Sequence, residues 1–547
     1  MSQLFEVTYG QKKTSVNTNE LGMREMQARV YEKRNSPYLL VKAPPASGKS
    51  RALMFVALDK LKRQGLKKAI IAVPEKSIGK SFRSTKLSDF GYYWDWIVKE
   101  ENNLTTSGTA KSKVEKFINF IQSTDETDDV LIATHATLRF ASEQLDASDF
   151  DDCLLAIDEF HHVSQDDNSV LGNALREVLQ KSTAHVFAMT GSYFRGDSVP
   201  ILDPADEARF ERVTYTYYEQ LEGYQYLKSF VMNYKFYRGR YTDAFPDLLP
   251  EFIDKKTIIH IPNVNSGESS KDKYGEVDEI LDCLGDYLHK DEHGIIHLRS
   301  KTGKVLKIAD LVTEDGRDLV STYLAKMDSE EELDMIIALG MAKEGFDWPF
   351  AEYALTIGYR SSLTEIVQII GRVTRDSSNK SKAQFTNLIA EPDAEDEEVQ
   401  FSVNNIMKAI TASLLMENVL SPSFKFQRKE NDSQKANGAE IFIKGLAKPS
   451  TERTQKIIEQ DITDLKASVL QDDVVQAAIS AGAESKVITK QLIPRVIATR
   501  YPDLTQTEVE EVRQHVVADL TLSNAKKDSE NKKLLKMADK FINIDEL

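Results

Sequence analysis

The sequence predicts an α/β protein with parallel sheets, and three stretches of residues carry that prediction. Residues 38–43, "YLLVKA", form a short apolar run, and residues 50–61, "SRALMFVALDKL", have apolar residues at helical spacing. The loop between them makes the order strand, loop and helix. Residues 153–157, "CLLAI", are a second continuous apolar run, which is typical of a strand buried on both faces of a parallel sheet.

The size and composition of the chain indicate two or three domains. It has 547 residues, of which 41% are hydrophobic, and this is enough for separate cores. No apolar run reaches the roughly 18 residues of a membrane-spanning helix, and the N-terminal residues lack the apolar segment of a secretory signal. We therefore expect a cytoplasmic protein with no membrane partner.

The cysteine content excludes two kinds of site, and the net charge disfavours one kind of partner. Cys153 and Cys283 are the two cysteines, too few for a disulfide framework or a structural zinc site. The net charge of −16 disfavours nucleic-acid binding through overall charge, because Lys and Arg make the phosphate contacts. Residues 62–86 nevertheless hold eight basic residues and one acid, and such a local patch can act against the total charge.

The loop "APPASGKS", residues 43–50, has the residue types of a phosphate-binding loop. In the pattern Gly-x-x-x-x-Gly-Lys-Ser/Thr, the last glycine lets the backbone approach the phosphates, the lysine reaches the β and γ phosphates, and the hydroxyl ligates Mg²⁺. Gly48, Lys49 and Ser50 occupy these three positions. We expect ATP and Mg²⁺ to bind here, and the alternative is an ordinary turn capped by Ser50.

The loop is poor in glycine. Ala43 stands where the pattern has its first glycine, and Pro44 and Pro45 have no N–H group to offer a phosphate. The backbone donors must therefore come from the five residues that follow, Ala46, Ser47, Gly48, Lys49 and Ser50.

Two acids follow the second apolar run. Asp158 and Glu159 come directly after residues 153–157, at the carboxyl end of the strand, where ligands bind in open α/β sheets. Phosphoryl transfer needs a metal clamp and a positioned water. We assign Asp158 to Mg²⁺ and Glu159 to the attacking water; the alternative is an acidic strand end that faces solvent.

A third block, "QIIGRVTR", residues 368–375, contains Gln368, Gly371, Arg372 and Arg375. Arginines three residues apart on a helix share a face, and the planar guanidinium can hold phosphate oxygens through two bonds. These arginines are expected to neutralise charge on the γ phosphate. The alternative is a surface helix with salt bridges.

In their order along residues 20–390, these blocks resemble the DEAD/DEAH-box helicases and translocases of superfamily 2, in the restriction-type and DNA-repair branch. "DEFH" at 158–161 resembles their Asp-Glu-x-His box, and "REMQ" at 24–27 resembles the element that recognises adenine. "AIIAVPEKSIGKSF" at 69–82 and "VLIATHATL" at 130–138 resemble the motifs that contact a nucleic-acid strand. "AMTGSYFR" at 188–195 resembles the motif that couples hydrolysis to movement, and "IALGMAKEGFDWP" at 337–349 resembles the fifth motif.

The resemblance implies two tandem RecA-like parallel-sheet domains with ATP in the interdomain cleft, plus a helical C-terminal region. The implied organisation is a short segment at 1–20, a first domain at 21–250, a second domain at 251–395, a helical connection and linker at 396–450, and the helical region at 451–547. The C-terminal region could bind a protein partner, bind the substrate or brace the motor.

The resemblance also implies roles for individual residues. The catalytic set is Lys49, Glu159, Gln368, Arg372 and Arg375. Nucleotide contacts fall on the phosphate loop and on Arg24, Gln27, Gly345 and Asp347. Coupling falls on His161, Thr190 and Ser192. Strand contacts fall on Pro74, Lys76, Ser77, Lys80, Thr134 and His135.

The implied function is an ATP-dependent nucleic-acid translocase or helicase, with DNA favoured over RNA as the partner. A different class stays open: an ATP-gated recognition or scaffold subunit of a larger complex, such as a phage-defence or mobile-element assembly. Residues 223–241 interleave aromatic and basic side chains, which suits base stacking or, in a β-like run, packing in a core.

Overall fold

The computed structural model of the protein describes residues 2–76, 78–106, 109–125, 127, 129–160, 170–191, 204–264, 266, 269–324, 326–339, 348–358, 363–390, 425–428, 440–443, 445–480 and 485–525.

The strands of this part of the chain, numbered in chain order, are β1 (Ser2–Thr8), β2 (Tyr38–Lys42), β3 (Lys68–Val73), β4 (Val130–Thr134), β5 (Cys153–Ile157), β6 (His185–Thr190), β7 (Glu211–Thr214), β8 (Ser229–Tyr237), β9 (Thr257–Ile261), β10 (Gly285–Lys290), β11 (Ile296–Ser300), β12 (Val305–Asp310), β13 (Met335–Leu339), β14 (Tyr353–Ile357), β15 (Lys382–Ala390), β16 (Lys425–Arg428) and β17 (Glu440–Ile443). The α-helices before residue 400 include α1 (Glu25–Glu32), α2 (Lys49–Arg63), α3 (Ala110–Gln122), α4 (His135–Ser142), α5 (Val170–Lys181), α6 (Pro204–Glu207), α7 (Tyr217–Glu222), α8 (Phe245–Phe252), α9 (Lys273–Leu284), α10 (Arg317–Leu324) and α11 (Leu363–Val373). Helical segments after residue 450 include Glu452–Lys456, Ile457–Asp461, Ile462–Gln471, Asp473–Ser480, Ser485–Val487, Ile488–Leu492, Ile493–Arg500 and Gln506–Ala525.

The first sheet is parallel throughout its described strands, in the order β4-β3-β5-β6-β2-β7. Both faces are covered by helices, and β3 shows why its sequence is apolar throughout. Ile71 and Val73 pack with α1 and α2, whereas Ile70 and Ala72 pack with α3, α4 and α5. Successive residues of a strand point to opposite faces, so a strand with helices on both sides needs an unbroken apolar run. The carboxyl ends of these strands lie along one edge, where the candidate site is found.

The second sheet has the described strand order β1-β8-β15-β14-β9-β13-β12-β11-β10. The block from β8 to β12 is parallel, and β1, β11 and β10 join the two ends as antiparallel strands. One apolar core lies on each face of this sheet. The predicted fold of two tandem α/β domains with parallel sheets is therefore the observed one.

The two sheets divide the chain at a different place from the predicted boundary at residue 250. β8 lies inside the predicted first domain, yet it pairs with β15 of the second sheet, Ser229 opposite Lys382. β1, in the predicted N-terminal segment, pairs with β8. The physical reason is core packing, since Phe230 and Met232 of β8 are fully buried in one of the two apolar cores of the second sheet. In the aromatic stretch, Tyr237 is buried and Phe236 is exposed, so most of this strand serves the core.

The C-terminal helices form a bundle with its own apolar core. It docks on the first sheet through buried ion pairs, in which Asp461 lies 3.2 Å from Lys42 Nζ and 2.6 Å from an Arg212 nitrogen. Of the three roles left open for this region, these contacts support bracing of the first domain. The predicted helical linker also contains a parallel pair of strands, β16 and β17, which the sequence did not predict.

None of the described helices combines the length and the hydropathy needed to cross a membrane.

Candidate nucleotide-binding cleft

The phosphate loop has the predicted setting. β2 ends at Lys42 and α2 begins at Lys49, with Gly48 as its N-cap residue in a left-handed conformation, φ 90°. A Cβ at Gly48 would lie 2.5 Å from the Gln27 side-chain nitrogen, so glycine is required there. The Lys49 ammonium lies across the loop, 3.0 Å from the Ala43 carbonyl oxygen and 3.2 Å from that of Pro44.

A loop with few glycines reaches this shape through one strained residue and one internal bond. Ala46 has φ 65°, a left-handed conformation that costs of order 1–3 kcal/mol for a residue with a side chain and that clusters at functional sites. The Ser47 hydroxyl donates to the Pro44 carbonyl oxygen at 2.8 Å. Pro45 is held from outside, because the Gln220 side-chain amide donates to its carbonyl oxygen at 3.2 Å.

The predicted adenine element lies against this loop. Gln27 is buried, accepts a hydrogen bond from the Arg24 backbone N–H at 2.9 Å, and donates to the Gly48 carbonyl oxygen at 3.1 Å. Arg24 lies on the wall of the cleft described below. The structure thus brings together the two segments that the sequence assigned to one nucleotide.

The two acids lie at the end of β5 as predicted. The Asp158 carboxylate accepts the Glu159 backbone N–H at 2.9 Å, and Glu159 has φ 47°, a second strained residue at the site. Glu159 in turn accepts the Gly191 backbone N–H at 3.1 Å. A Cβ at Gly191 would lie 3.0 Å from both a Glu159 oxygen and Lys49 Nζ. These three residues therefore meet at the phosphate loop.

Gly191 is a residue to which sequence reasoning assigned no role. It lies between the two predicted coupling residues Thr190 and Ser192, and its position directly after the apolar strand β6 was the available signal. Thr190 is buried at the end of β6, and its carbonyl oxygen accepts the Ala43 N–H at 3.2 Å. Ser192 lies outside the described residues.

A cleft of about 550 Å³ separates the two domains at this edge, a size that suits a nucleotide. Lys49, Ser50, Asp158 and Glu159 line it from the first domain, and Arg375 lines it from the second. Residues predicted to contact phosphate and metal in the first domain, and a predicted arginine of the second domain, therefore line one cleft.

The arginine block differs in geometry from its prediction. The helix α11 ends at Val373, so Arg372 lies in its last turn and Arg375 lies beyond it, and the two do not share one helical face. Of the two, Arg375 is the one on the described wall of the cleft. Gln368 is half-buried within α11.

The contacts of Asp376, the residue after Arg375, explain why Arg375 lies outside the helix. The Asp376 carboxylate accepts three consecutive backbone N–H groups, from Gln225 at 2.8 Å, Tyr226 at 2.9 Å and Leu227 at 3.1 Å. These three residues belong to the connection between α7 and β8, so the segment that carries Arg375 is anchored to the connection between the two sheets.

The predicted strand-contacting residues cluster at the same edge. Val73 of β3 lies opposite Thr134 of β4, so Pro74 and Thr134 lie at the same end of these two strands. The Thr134 hydroxyl caps α4, whose first residue is His135. Lys113 of α3 was not predicted. Its pKa is lowered by burial and by the neighbouring charges of Lys76 and Lys116, so these three cations stand close together.

Several predicted residues cannot be placed in this geometry. Ser77, His161, Ser192, Gly345 and Asp347 lie outside the described residues, and of Lys80 the structure describes the backbone.

Comparison with known proteins gives three likenesses. The family model of the type III restriction enzyme, res subunit, matches residues 6–195. The chain is 59% identical over 552 residues to the Bacillus subtilis (strain 168) protein named "Putative ATP-dependent helicase YeeB", covering 100% of this chain and 91% of that protein. It is 24% identical over 375 residues to "Putative helicase 22" of a Sulfolobus islandicus filamentous virus (isolate Iceland/Hveragerdi), covering 64% of this chain and 60% of the viral protein.

Among solved structures, the DUF1998 helicase MrfA bound to DNA aligns with 78% of this chain at 13% identity and a TM-score of 0.46. The alignment spans 57% of the MrfA chain.

The identity of 59% extends along the full length of this chain. It agrees with the order of the motifs, with the paired α/β domains and with the cleft between them. The chain belongs to the family of the Bacillus subtilis protein named "Putative ATP-dependent helicase YeeB".

Proposed function

We propose that the protein hydrolyses ATP in the cleft between its two domains and uses the cycle to move along DNA. The observation that carries this proposal is the meeting of Lys49 and Glu159 from the first domain with Arg375 from the second around one cleft. Arginine next to a developing negative charge stabilises the transition state of phosphoryl transfer. A site completed by both domains makes hydrolysis depend on their closure.

The residues of this chain have separate roles in that proposal. Lys49 provides a positive charge for the β and γ phosphates, and the backbone N–H groups at the start of α2 provide further donors. Glu159 accepts a proton from the attacking water, and the Gly191 N–H bond at 3.1 Å holds its carboxylate beside the loop. Arg375 neutralises charge on the γ phosphate, and Arg24 and Gln27 contact the adenine.

Mg²⁺ fits the residues at this site. Ser50 offers a hydroxyl and Asp158 a carboxylate, and both line the cleft. Magnesium is usually held by one or two carboxylates together with waters and substrate phosphates. The ion would neutralise charge on the phosphates.

The cations of Lys76, after β3, and of Lys113 and Lys116, in α3, support a nucleic-acid partner. Burial, and then the charges of Lys76 and Lys116, lower the pKa of Lys113, and a phosphate backbone beside these cations would relieve the repulsion on Lys113. A cluster of this kind carries little sequence information, because phosphate contacts are the same for every base. We therefore propose binding without sequence preference. DNA is favoured over RNA because the motifs resemble the restriction-type branch.

The deciding experiment is an ATPase assay of the full chain with single-stranded DNA, duplex DNA or RNA added in turn, beside a strand-displacement assay. We expect single-stranded DNA to stimulate hydrolysis most. Stimulation by RNA alone would contradict the choice of partner. Hydrolysis without movement along any strand would support the alternative of an ATP-gated recognition or scaffold subunit.

A further inference from the structure

The short helix α7 contacts both walls of the cleft. Thr216 caps it directly after the first sheet. Tyr217 is buried in the same core of the second sheet as Phe230 and Met232, and its hydroxyl donates to the Val367 carbonyl oxygen of α11 at 3.3 Å. Gln220, one turn later, donates to the Pro45 carbonyl oxygen of the phosphate loop at 3.2 Å. A single helix therefore joins the loop that faces the nucleotide to the helix that precedes Arg375.

A glycine allows these elements to touch. A Cβ at Gly371 would lie 2.4 Å from the Tyr217 hydroxyl and 3.6 Å from side-chain atoms of Pro45. The phosphate loop, α7 and α11 thus meet in one close-packed contact. Because packed interiors are hardly compressible, a shift of one of these elements displaces the others.

Gln220 is the polar member of this contact, and its hydrogen bonding is incomplete. The side chain is 3% exposed. Its nitrogen donates to Pro45 and to the Tyr224 hydroxyl, at 3.2 and 2.6 Å, whereas its oxygen has no hydrogen-bond partner among the residues that the structure describes. Buried polar atoms are nearly always paired, and exceptions mark strain or function.

We propose that Gln220 is a positioning residue that couples the phosphate loop to Arg375. When the loop closes on the phosphates, the Pro45 carbonyl shifts, and Gln220 passes that shift through α7 to α11 and the segment after it. This rests on the proposed function in one respect, the action of Arg375 on the γ phosphate. Pro45 then has a role in the loop, because a rigid residue at this position transmits a displacement that a flexible residue would absorb.

The experiment compares Gln220→Met, which keeps the length of the side chain and removes both polar atoms, with Glu222→Gln on the same helix. Glu222 pairs with Lys12 and has no contact with the phosphate loop among the described residues. For Gln220→Met we expect a lowered melting temperature, because the Pro45 carbonyl oxygen and the Tyr224 hydroxyl lose a buried hydrogen-bond donor. We also expect an unchanged affinity for a non-hydrolysable ATP analogue and a DNA-stimulated kcat lowered about tenfold. The Glu222→Gln variant should match the wild type.

A double-mutant cycle with Arg375→Ala separates coupling from general damage, because residues that act through one another are not additive. Gln220→Met should have no further effect on kcat in the Arg375→Ala background. Additive losses, or a fall in analogue binding as large as the fall in kcat, would overturn the proposal. An Arg375→Ala variant with normal hydrolysis would instead refute the proposed function.

Tyr217→Phe tests the same path at its other end if Gln220→Met does not fold. It removes the hydroxyl that bonds Val367 and leaves the ring in the core. We expect a lowered kcat at unchanged analogue binding, and a wild-type kcat in this variant would count against the path.

Discussion

The docking of the C-terminal bundle on the first domain leads to a quantitative prediction for Asp461→Asn. Asp461 is 2% exposed in its side chain and pairs with Lys42 at 3.2 Å and with Arg212 at 2.6 Å. Lys42 is the last residue before the phosphate loop. Removing one partner of a buried ion pair costs about 3–5 kcal/mol, because the remaining charges stay buried.

The structure places the expected cost at the lower end of that range. After the substitution Lys42 keeps Asp464, at 2.5 Å, and Arg212 keeps Glu207, at 2.6 Å. We therefore expect the docking to weaken by about 3 kcal/mol, which raises the population of the open form about 10²-fold.

Hydrogen exchange measures this opening directly. In Asp461→Asn, amides of β2 and of Ile462–Gln471 should exchange about 10²-fold faster, whereas those of β13 in the second sheet should not change. The matched control is Glu452→Gln, which breaks an exposed pair with Lys456 and should alter nothing measurable. Unchanged exchange in β2 would refute the idea that this network braces the phosphate loop.

The pH dependence of the docking follows from the same network. Burial alone would raise the pKa of Asp461, but the cations Lys42 and Arg212 outweigh it and hold the pKa far below its usual range. A carboxylate with a depressed pKa contributes stability above its unfolded pKa and loses it as the pH falls. We therefore expect docking to be constant from pH 9 to pH 5 and to weaken below about pH 4.

Four further predictions concern the site and the first sheet. Glu159→Gln should bind ATP normally and not hydrolyse it, because an amide cannot accept the proton; binding and hydrolysis that fall together would contradict this. Arg375→Ala should lower kcat by about 10³-fold, and Arg375→Lys should not restore it, since a point charge cannot replace a planar fork; near-normal stimulated turnover would refute the role. Lys76→Ala should weaken binding to every DNA sequence alike and lower the slope of log affinity against log salt by about 0.7–0.9, and an unchanged slope would place the strand elsewhere. Burial, and then the ammonium of Lys60 at 2.8 Å, lower the pKa of His185 to about 4. The stability that the neutral imidazole contributes should therefore be full above about pH 6.5 and be lost as the pH falls towards 4. In urea denaturation, His185→Asn should remove this dependence of the unfolding free energy on pH, and a dependence that persists in the variant would assign it to another group.

The sequence alone determined the features that depend on contiguous residues. A phosphate loop needs Gly48, Lys49 and Ser50 side by side between a strand and a helix, and a metal and water site needs Asp158 and Glu159 at the end of a strand. These requirements are local, so the residue pattern is enough to state them. The parallel α/β fold follows in the same way, because strands buried on both faces must be apolar throughout.

Tertiary structure decided the contacts between residues far apart in the chain. The membership of β1 and β8 in the second sheet depends on which core has room for Phe230 and Met232, and no local pattern of β8 carries that information. The end of α11 before Arg375 depends on the anchoring of Asp376 by backbone N–H groups about 150 residues earlier.

The same holds for the bond from Gly191 to Glu159, for Gln220 against Pro45 and for Asp461 against Lys42. These three contacts join residues that are 32, 175 and 419 positions apart in the sequence, respectively. Hydrophobic periodicity and capping patterns report the faces of single elements, and these contacts arise only when whole elements pack. Several residues that line the cleft were therefore predictable from short motifs, whereas the contacts that connect its two walls required the packed structure.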